Sequence, residues 1–112
     1  MNLKEILKED KFETNTLIPY KEYQVLINRR HYPLGFRDRN LKQFFIAKND
    51  EIIYHNRISA YALFISQNSV IFEIDNTVYL YDFYSKKTTA IQDNNELSKI
   101  LENDNYELIK AI

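Results

Sequence analysis

Residues 70–83, VIFEIDNTVYLYDF, decide the fold because two apolar strands flank a two-residue polar turn. Asn and Asp tolerate left-handed backbone conformations, so Asp75-Asn76 suits a tight hairpin turn. The flanking segments 70–74 and 77–84 are rich in β-branched and aromatic residues, which favour strands. This stretch therefore predicts an antiparallel β-hairpin.

Similar signals extend in both directions from this hairpin. Asn49-Asp50 and Gln67-Asn68 are predicted as further turns, and residues 31–40, which hold Pro33 and the only Gly, as the main loop. Residues 60–65 and 70–72 are apolar on both faces, as expected for strands covered on both sides. The predicted fold is mainly β, a twisted antiparallel β-meander. Its other strands are predicted at 20–30, 41–48, 51–55, 59–66, 88–91 and 106–112.

One or two short helices are expected to cover the sheet. Asn2 with Glu5, and Asp93 with Glu96, have capping-box spacing. The first helix would bury Leu3, Ile6 and Leu7, and the second, 93–103, would pack through Leu97, Ile100 and Leu101. Pro19 is expected to end the segment before it.

Length and composition predict one domain over residues 1–112 that works in the cytoplasm. The chain has no Cys, which favours a reducing compartment. Its first twelve residues, MNLKEILKEDKF, lack the apolar core of a signal peptide, and no run is long enough to span a membrane. We therefore expect no membrane partner.

The sequence predicts no catalytic residue, metal site or cofactor. A single Gly cannot build a phosphate-binding loop, and two His without Cys make a structural zinc site improbable. One enzymatic alternative is a small ribonuclease in which His31 and His55 act as general base and acid. Both lie near predicted turns, where ordinary surface histidines are common.

Charge is distributed unevenly along a chain of net charge −1. Residues 1–56 carry +2 and residues 57–112 carry −3, so the second half is suited to a basic partner. A second alternative is a nucleic-acid-binding adaptor, but the overall acidity does not favour it. Its basic loop would comprise Arg29, Arg30, Arg37, Arg39 and Lys42, with Tyr32 and Phe36 between them.

The hairpin strand that begins at Thr77 also suggests a partner-binding site. Tyr79, Tyr81 and Phe83 alternate with Val78, Leu80 and Asp82, so the tyrosines line one face, either outward or in the core. Tyrosine brings a large contact area at low entropic cost, and carboxylates can occupy the phosphate positions of a nuclease groove. The predicted partner-binding residues are Glu73, Asp75, Tyr79, Tyr81, Asp82 and Tyr84.

Residues 68–92, NSVIFEIDNTVYLYDFYSKKTTAIQ, resemble part of a β-propeller blade. At about 40–45 residues per blade the chain has room for two, so the resemblance implies a half-propeller-like fold. Small cytoplasmic antiparallel-sheet proteins of this kind resemble bacterial immunity proteins, including those of contact-dependent growth-inhibition systems. The resemblance implies an inhibitor without enzymatic activity that binds and neutralises a toxin, and the partner we expect is a basic nuclease domain. A phage-encoded inhibitor of a host enzyme has the same features.

Overall fold

The computed structural model describes residues 2–8, 12–31 and 40–111, with the backbone alone at 12–15, 30–31 and 40–41. Most of the loop predicted at 31–40 therefore lies outside the described residues. The elements, in chain order, are α1 (Leu3–Leu7), β1 (Phe12–Tyr20), β2 (Tyr23–His31), β3 (Asn40–Lys48), β4 (Glu51–Arg57), β5 (Ala62–Ile65), β6 (Ser69–Ile74), β7 (Thr77–Asp82), β8 (Lys87–Ile91), α2 (Asn94–Asn103) and β9 (Glu107–Lys110).

Left-handed residues make the two hairpin turns that the sequence indicates most strongly. Asn49 and Asp50 have φ values of 52° and 69°, and Asp75 and Asn76 have 49° and 69°. Positive φ at both central residues is the type I′ geometry, whose twist matches that of paired strands. Both turns are therefore confirmed. The register set at Asp75-Asn76 continues along the whole β6–β7 pair, whereas the β3–β4 register shifts between Ile46 and Ala47.

The strands form two antiparallel sheets, one ordered β1-β2-β3-β4 and the other β8-β7-β6-β5-β9. Strand is the predominant secondary structure of the described residues, which confirms the mainly-β prediction. In the first sheet each strand pairs with its neighbours in sequence, and β5 to β8 repeat this connectivity in the second. The antiparallel meander is thus confirmed, and β9 is added to it by pairing with β5.

The chain divides into two compact units, one containing the residues up to Ile58 together with Ala111, the other Ser59–Lys110. The first unit holds β1–β4 and α1, and the second holds β5–β9 and α2. The single domain over 1–112 stays a prediction.

In the first unit, α1 packs on one face of the sheet. Asn2 Oδ1 accepts a hydrogen bond of 2.9 Å from Glu5 N–H, as the capping pattern predicts. Leu3 and Ile6 are buried against Leu26, Phe45 and Ala47. Leu7, the third residue expected on this face, is instead 39% exposed.

Two features of the first hairpin were not expected from the sequence. Pro19 does not end the preceding segment, because β1 continues through it to Tyr20. β1 is an edge strand of its sheet and has one neighbouring strand, β2. A proline there does not deprive a second strand of a backbone hydrogen bond. The strand predicted at 20–30 is interrupted at its start by the Lys21-Glu22 turn, with Lys21 at φ 49°.

In the second unit, α2 begins as predicted. Asp93 Oδ1 accepts from Glu96 N–H at 2.8 Å, and Glu96 Oε2 accepts from Gln92 N–H at 2.9 Å. The expected apolar stripe is only half-buried, at Leu97, Ile100 and Leu101. Neither helix in the described ranges is long and apolar enough to cross a membrane.

Candidate functional site

The β6–β7 hairpin has two faces that differ in burial. Val70 pairs with Tyr81 and Phe72 with Tyr79, so these four residues share one face, which we call the tyrosine face. Tyr81 is 7% exposed, with its ring edge-on to Phe83 at 5.9 Å. The half-buried Tyr79 stacks on Phe72 at 5.8 Å. The sequence left open whether the tyrosines face outward or into the core, and Tyr81 faces the core.

Asp82 lies on the opposite face and holds a turn together. Its Oδ1 accepts hydrogen bonds from the backbone N–H groups of Tyr84 and Ser85, at 2.9 and 2.8 Å. These bonds give the side chain a structural role, although its negative charge remains. They also fix the position of Tyr84, which is 97% exposed and so is the predicted site residue most available to a partner.

Asp75 and Glu73 lie at the other end of the same strands. Asp75 N–H donates to Ser59 Oγ at 2.8 Å, and Ser59 N–H donates to the carbonyl of Glu73 at 2.8 Å. Asp75 is exposed and Glu73 is half-buried. β7 separates the two turns by about 20 Å at 3.3 Å per residue. The six predicted residues therefore occupy two sheet ends and one largely buried face rather than a single site.

The two units carry opposite net charges. The first has eleven Lys and Arg against eight Asp and Glu, a net charge of +3, and the second has four against eight, a net charge of −4. This contrast exceeds the +2 and −3 found when the sequence is cut at its midpoint, because Arg57 precedes the boundary between the units. Among the described residues of the second unit, four acidic side chains accept local hydrogen bonds, namely Asp82, Asp93, Glu96 and Asp104.

A cleft in the second unit was not anticipated from the sequence. It has a volume of about 200 Å³ and lies between α2 and the sheet face opposite the tyrosines. Sequence reasoning missed it because its walls come from four strands and a helix. The one available signal was that Val78 and Leu80, across the strand from the tyrosines, are apolar too. Its lining includes Phe64, Ile71, Glu73, Val78, Leu97 and Leu108.

The two histidines of the ribonuclease alternative are far apart in the sheet. His31 pairs with Asn40, whereas His55 pairs with Phe45 on the other side of β3. Five residues of β3 correspond to about 17 Å along the sheet, and the histidines are also two strands apart. The ring of His55 stacks on Phe45 at 5.6 Å. This register does not bring the pair into one acid–base site.

The basic loop of the nucleic-acid alternative is described only in part. Arg29 on β2 lies directly opposite Lys42 on β3. Arg37 and Arg39 lie outside the described residues, and only the backbone is described at Arg30. Across the part of the chain that the structure describes, no group of three or more His, Asp or Glu is placed to hold a metal ion.

Comparison with known proteins adds no relative. No protein-family model, curated protein or solved structure matches this chain. The resemblance to bacterial immunity proteins therefore stays a hypothesis.

Proposed function

We propose that this protein is an immunity-type inhibitor, without enzymatic activity, that binds and neutralises a basic toxin nuclease domain. The observation that carries the proposal is the charge separation between the two units. Eight acidic against four basic residues in Ser59–Lys110 suit this unit to a cationic protein surface. The absence of Cys suits work in the reducing cytoplasm, where such a toxin acts.

The chemistry of nucleases explains why an acidic unit can inhibit them. A nuclease that cleaves phosphodiesters needs a positive groove to hold the backbone phosphates. Carboxylates that enter this groove replace the phosphates, and the field of the acidic unit accelerates encounter. Asp75 and Tyr84 are exposed at opposite turns of the β7 strand. Asp75 would contribute attraction, and Tyr84 a contact of large area.

The connectivity of the strands also supports the proposal. β1–β4 and β5–β8 are each four-stranded antiparallel meanders, which is the connectivity of a propeller blade. Two such meanders agree with the half-propeller resemblance of residues 68–92. This connectivity is the one that the proposed likeness to small antiparallel-sheet immunity proteins requires.

The test is co-expression with the toxin candidate. The C-terminal domain of the polypeptide encoded immediately upstream is induced in a bacterial host, with or without this chain. We expect growth arrest that co-expression relieves, and purified complex that no longer degrades RNA or DNA. An upstream domain that is not toxic, or toxicity that the folded chain leaves unchanged, overturns the proposal.

Charge variants then test the role assigned to the second unit. Asp75→Lys should slow association with the toxin most strongly at low salt, where screening is weakest. Glu51→Lys makes the same charge change at an exposed position of the first unit and should leave the association rate near that of the parent. Equal effects of the two variants would contradict the assignment. Circular dichroism checks that both fold.

A further inference from the structure

We propose that the cleft of the second unit is an anchor pocket for one large apolar side chain of a protein partner, flanked there by Lys or Arg. The inference rests on the proposed function in one respect, namely that the partner is a protein with a basic surface. No pattern in the sequence predicted this cleft as a binding site, and its proposed occupant is an apolar side chain beside a basic residue.

Strand register places the cleft residues on one sheet face. Phe64 pairs with Ile71 and also with Leu108, and Glu73 pairs with Val78. Directly opposite residues in antiparallel strands share a face, so these five side chains form one continuous floor. Leu97 of α2 forms a wall above this floor. The cleft is therefore built entirely from the second unit.

The floor and wall retain apolar surface that the fold does not cover. Leu108 is 46% exposed, and Phe64, Val78 and Leu97 are half-buried. Ile71, Leu63 and Phe72, each 2% exposed, are the fully packed residues among those described in the lining. A partner side chain that covers this surface gains roughly 25 cal/mol for each Å² removed from water. A concave apolar pocket of this kind is the usual setting of an interface anchor.

The volume selects the kind of occupant. At about 200 Å³ the cleft is smaller than the roughly 300–1,000 Å³ typical of cavities that enclose drug-sized ligands. Its space suits one large aliphatic or aromatic side chain rather than a whole cofactor. The occupant is thus a side chain that projects from a partner's surface.

Charge selects the residues beside that side chain. Among the described residues that line the cleft, Glu73 is the one ionisable residue, and none of them is Lys, Arg or His. Because Glu73 is half-buried, the local dielectric is lower, and its negative charge attracts a cation more strongly than that of a fully exposed residue would. The −4 net charge of the surrounding unit acts in the same direction. The flanking residue is therefore basic.

The experiment uses blocked pentapeptides as probes of the full chain labelled at Ile, Leu and Val methyl groups. Gly-Lys-Leu-Lys-Gly should cause saturable NMR shifts at the methyls of Ile71, Val78, Leu97 and Leu108. Gly-Glu-Leu-Glu-Gly and Gly-Lys-Gly-Lys-Gly should each bind at least about tenfold more weakly, a difference of about 1.4 kcal/mol. Isolated peptides bind weakly, so titration extends to about 10 mM.

Matched variants separate the pocket from general effects. Leu108→Ser should abolish the shifts, whereas Leu17→Ser, at a leucine that is 45% exposed in the first unit, should leave them unchanged. Glu73→Gln should reduce the preference for the Lys-flanked over the Glu-flanked peptide. Glu102→Gln, at an exposed site on α2, should preserve that preference. Methyl spectra without peptide verify that each variant is folded.

Three outcomes overturn the inference. The first is an absence of saturable shifts, or shifts that map outside the cleft. The second is equal binding of the Lys-flanked and Glu-flanked peptides. The third is a concentration-dependent shift of the cleft methyls without peptide, which Leu108→Ser removes and which identifies a second copy as the occupant. If the protein relieves toxicity but does not bind the peptides at the cleft, the inhibitor function stands and the toxin binds at another surface. If the protein binds the peptides but does not relieve toxicity, the pocket stands and only the inhibitor role is overturned.

Discussion

The substitution Asn28→Leu should stabilise the protein. Asn28 is completely buried on β2, and both its Nδ2 and its Oδ1 lack a hydrogen-bond partner among the described residues. A buried polar group without a partner costs about 1–3 kcal/mol. Leu branches at Cγ as Asn does and removes both polar groups, and its larger volume offsets part of the gain. We therefore expect the free energy of unfolding to rise by about 2 kcal/mol.

The assay is urea unfolding followed by far-UV circular dichroism. With slopes of about 1–3 kcal/mol per M, a gain of 2 kcal/mol raises the midpoint by about 0.7–2 M. Asn56→Leu is the matched control, because Asn56 donates to the Tyr54 hydroxyl at 2.9 Å and accepts from Arg57 N–H at 2.8 Å. The control should lose stability. A lower midpoint for Asn28→Leu would refute the reasoning by revealing a partner for the Asn28 amide.

Three further changes test other parts of the structure. Leu101→Ala should cost about 1–2 kcal/mol, less than the 2–5 expected for a fully buried leucine, because the side chain is half-buried; an unchanged thermal midpoint would show that α2 does not pack through it. Asp93→Ala should cost about 1 kcal/mol by removing the N-cap bond to Glu96, and a denaturant midpoint equal to that of the parent would contradict this role. Burial raises the pKa of Tyr23 above its ordinary 10.0, and the Glu22 carboxylate adds to this effect. The stability that the Tyr23 side chain contributes is therefore complete below pH 10 and decreases as pH rises through the raised pKa. Tyr23→Phe should remove that part of the alkaline loss in unfolding measurements from pH 9 upward, and an unaltered pH profile would count against the assignment.

The turns were the most predictable part of the fold. Asn49-Asp50 and Asp75-Asn76 are residues that adopt positive φ at low cost, so the sequence itself carries the turn signal. The Lys21-Glu22 turn has no such signal, because Lys has no side-chain feature that favours the left-handed conformation which it adopts there. Tertiary pairing of β1 with β2 determines that turn.

Burial was less predictable than strand position. The alternation in β7 identifies which residues share a face, but both of its faces carry apolar side chains, so it cannot identify the covered face. In the structure Tyr81 is buried, whereas Val78 on the other face is only half-buried. The cleft depends on long-range pairing such as that of Phe64 with Leu108, which no local pattern contains.

The candidate site shows the same limit. The sequence correctly groups acids and tyrosines on one hairpin, but closeness in sequence does not bring Asp75 near Tyr84, which lies at the other turn of β7. Side-chain hydrogen bonding also cannot be deduced from the spacing of acids. Asp82 is engaged by the backbone of the β7–β8 turn, a role that becomes visible only in the folded chain.

Pro19 has a consequence for concentrated solutions of this protein. Strands at the end of a sheet are where fibrils nucleate, since an incoming chain can extend the backbone ladder. A mainly-β protein with two sheets has several such ends, and β1 is one of them. Proline offers no N–H to an arriving strand, so it interrupts the template at the eighth position of the nine-residue strand. Pro19, which the sequence predicted would end the segment before it, therefore lowers the risk that β1 templates amyloid growth.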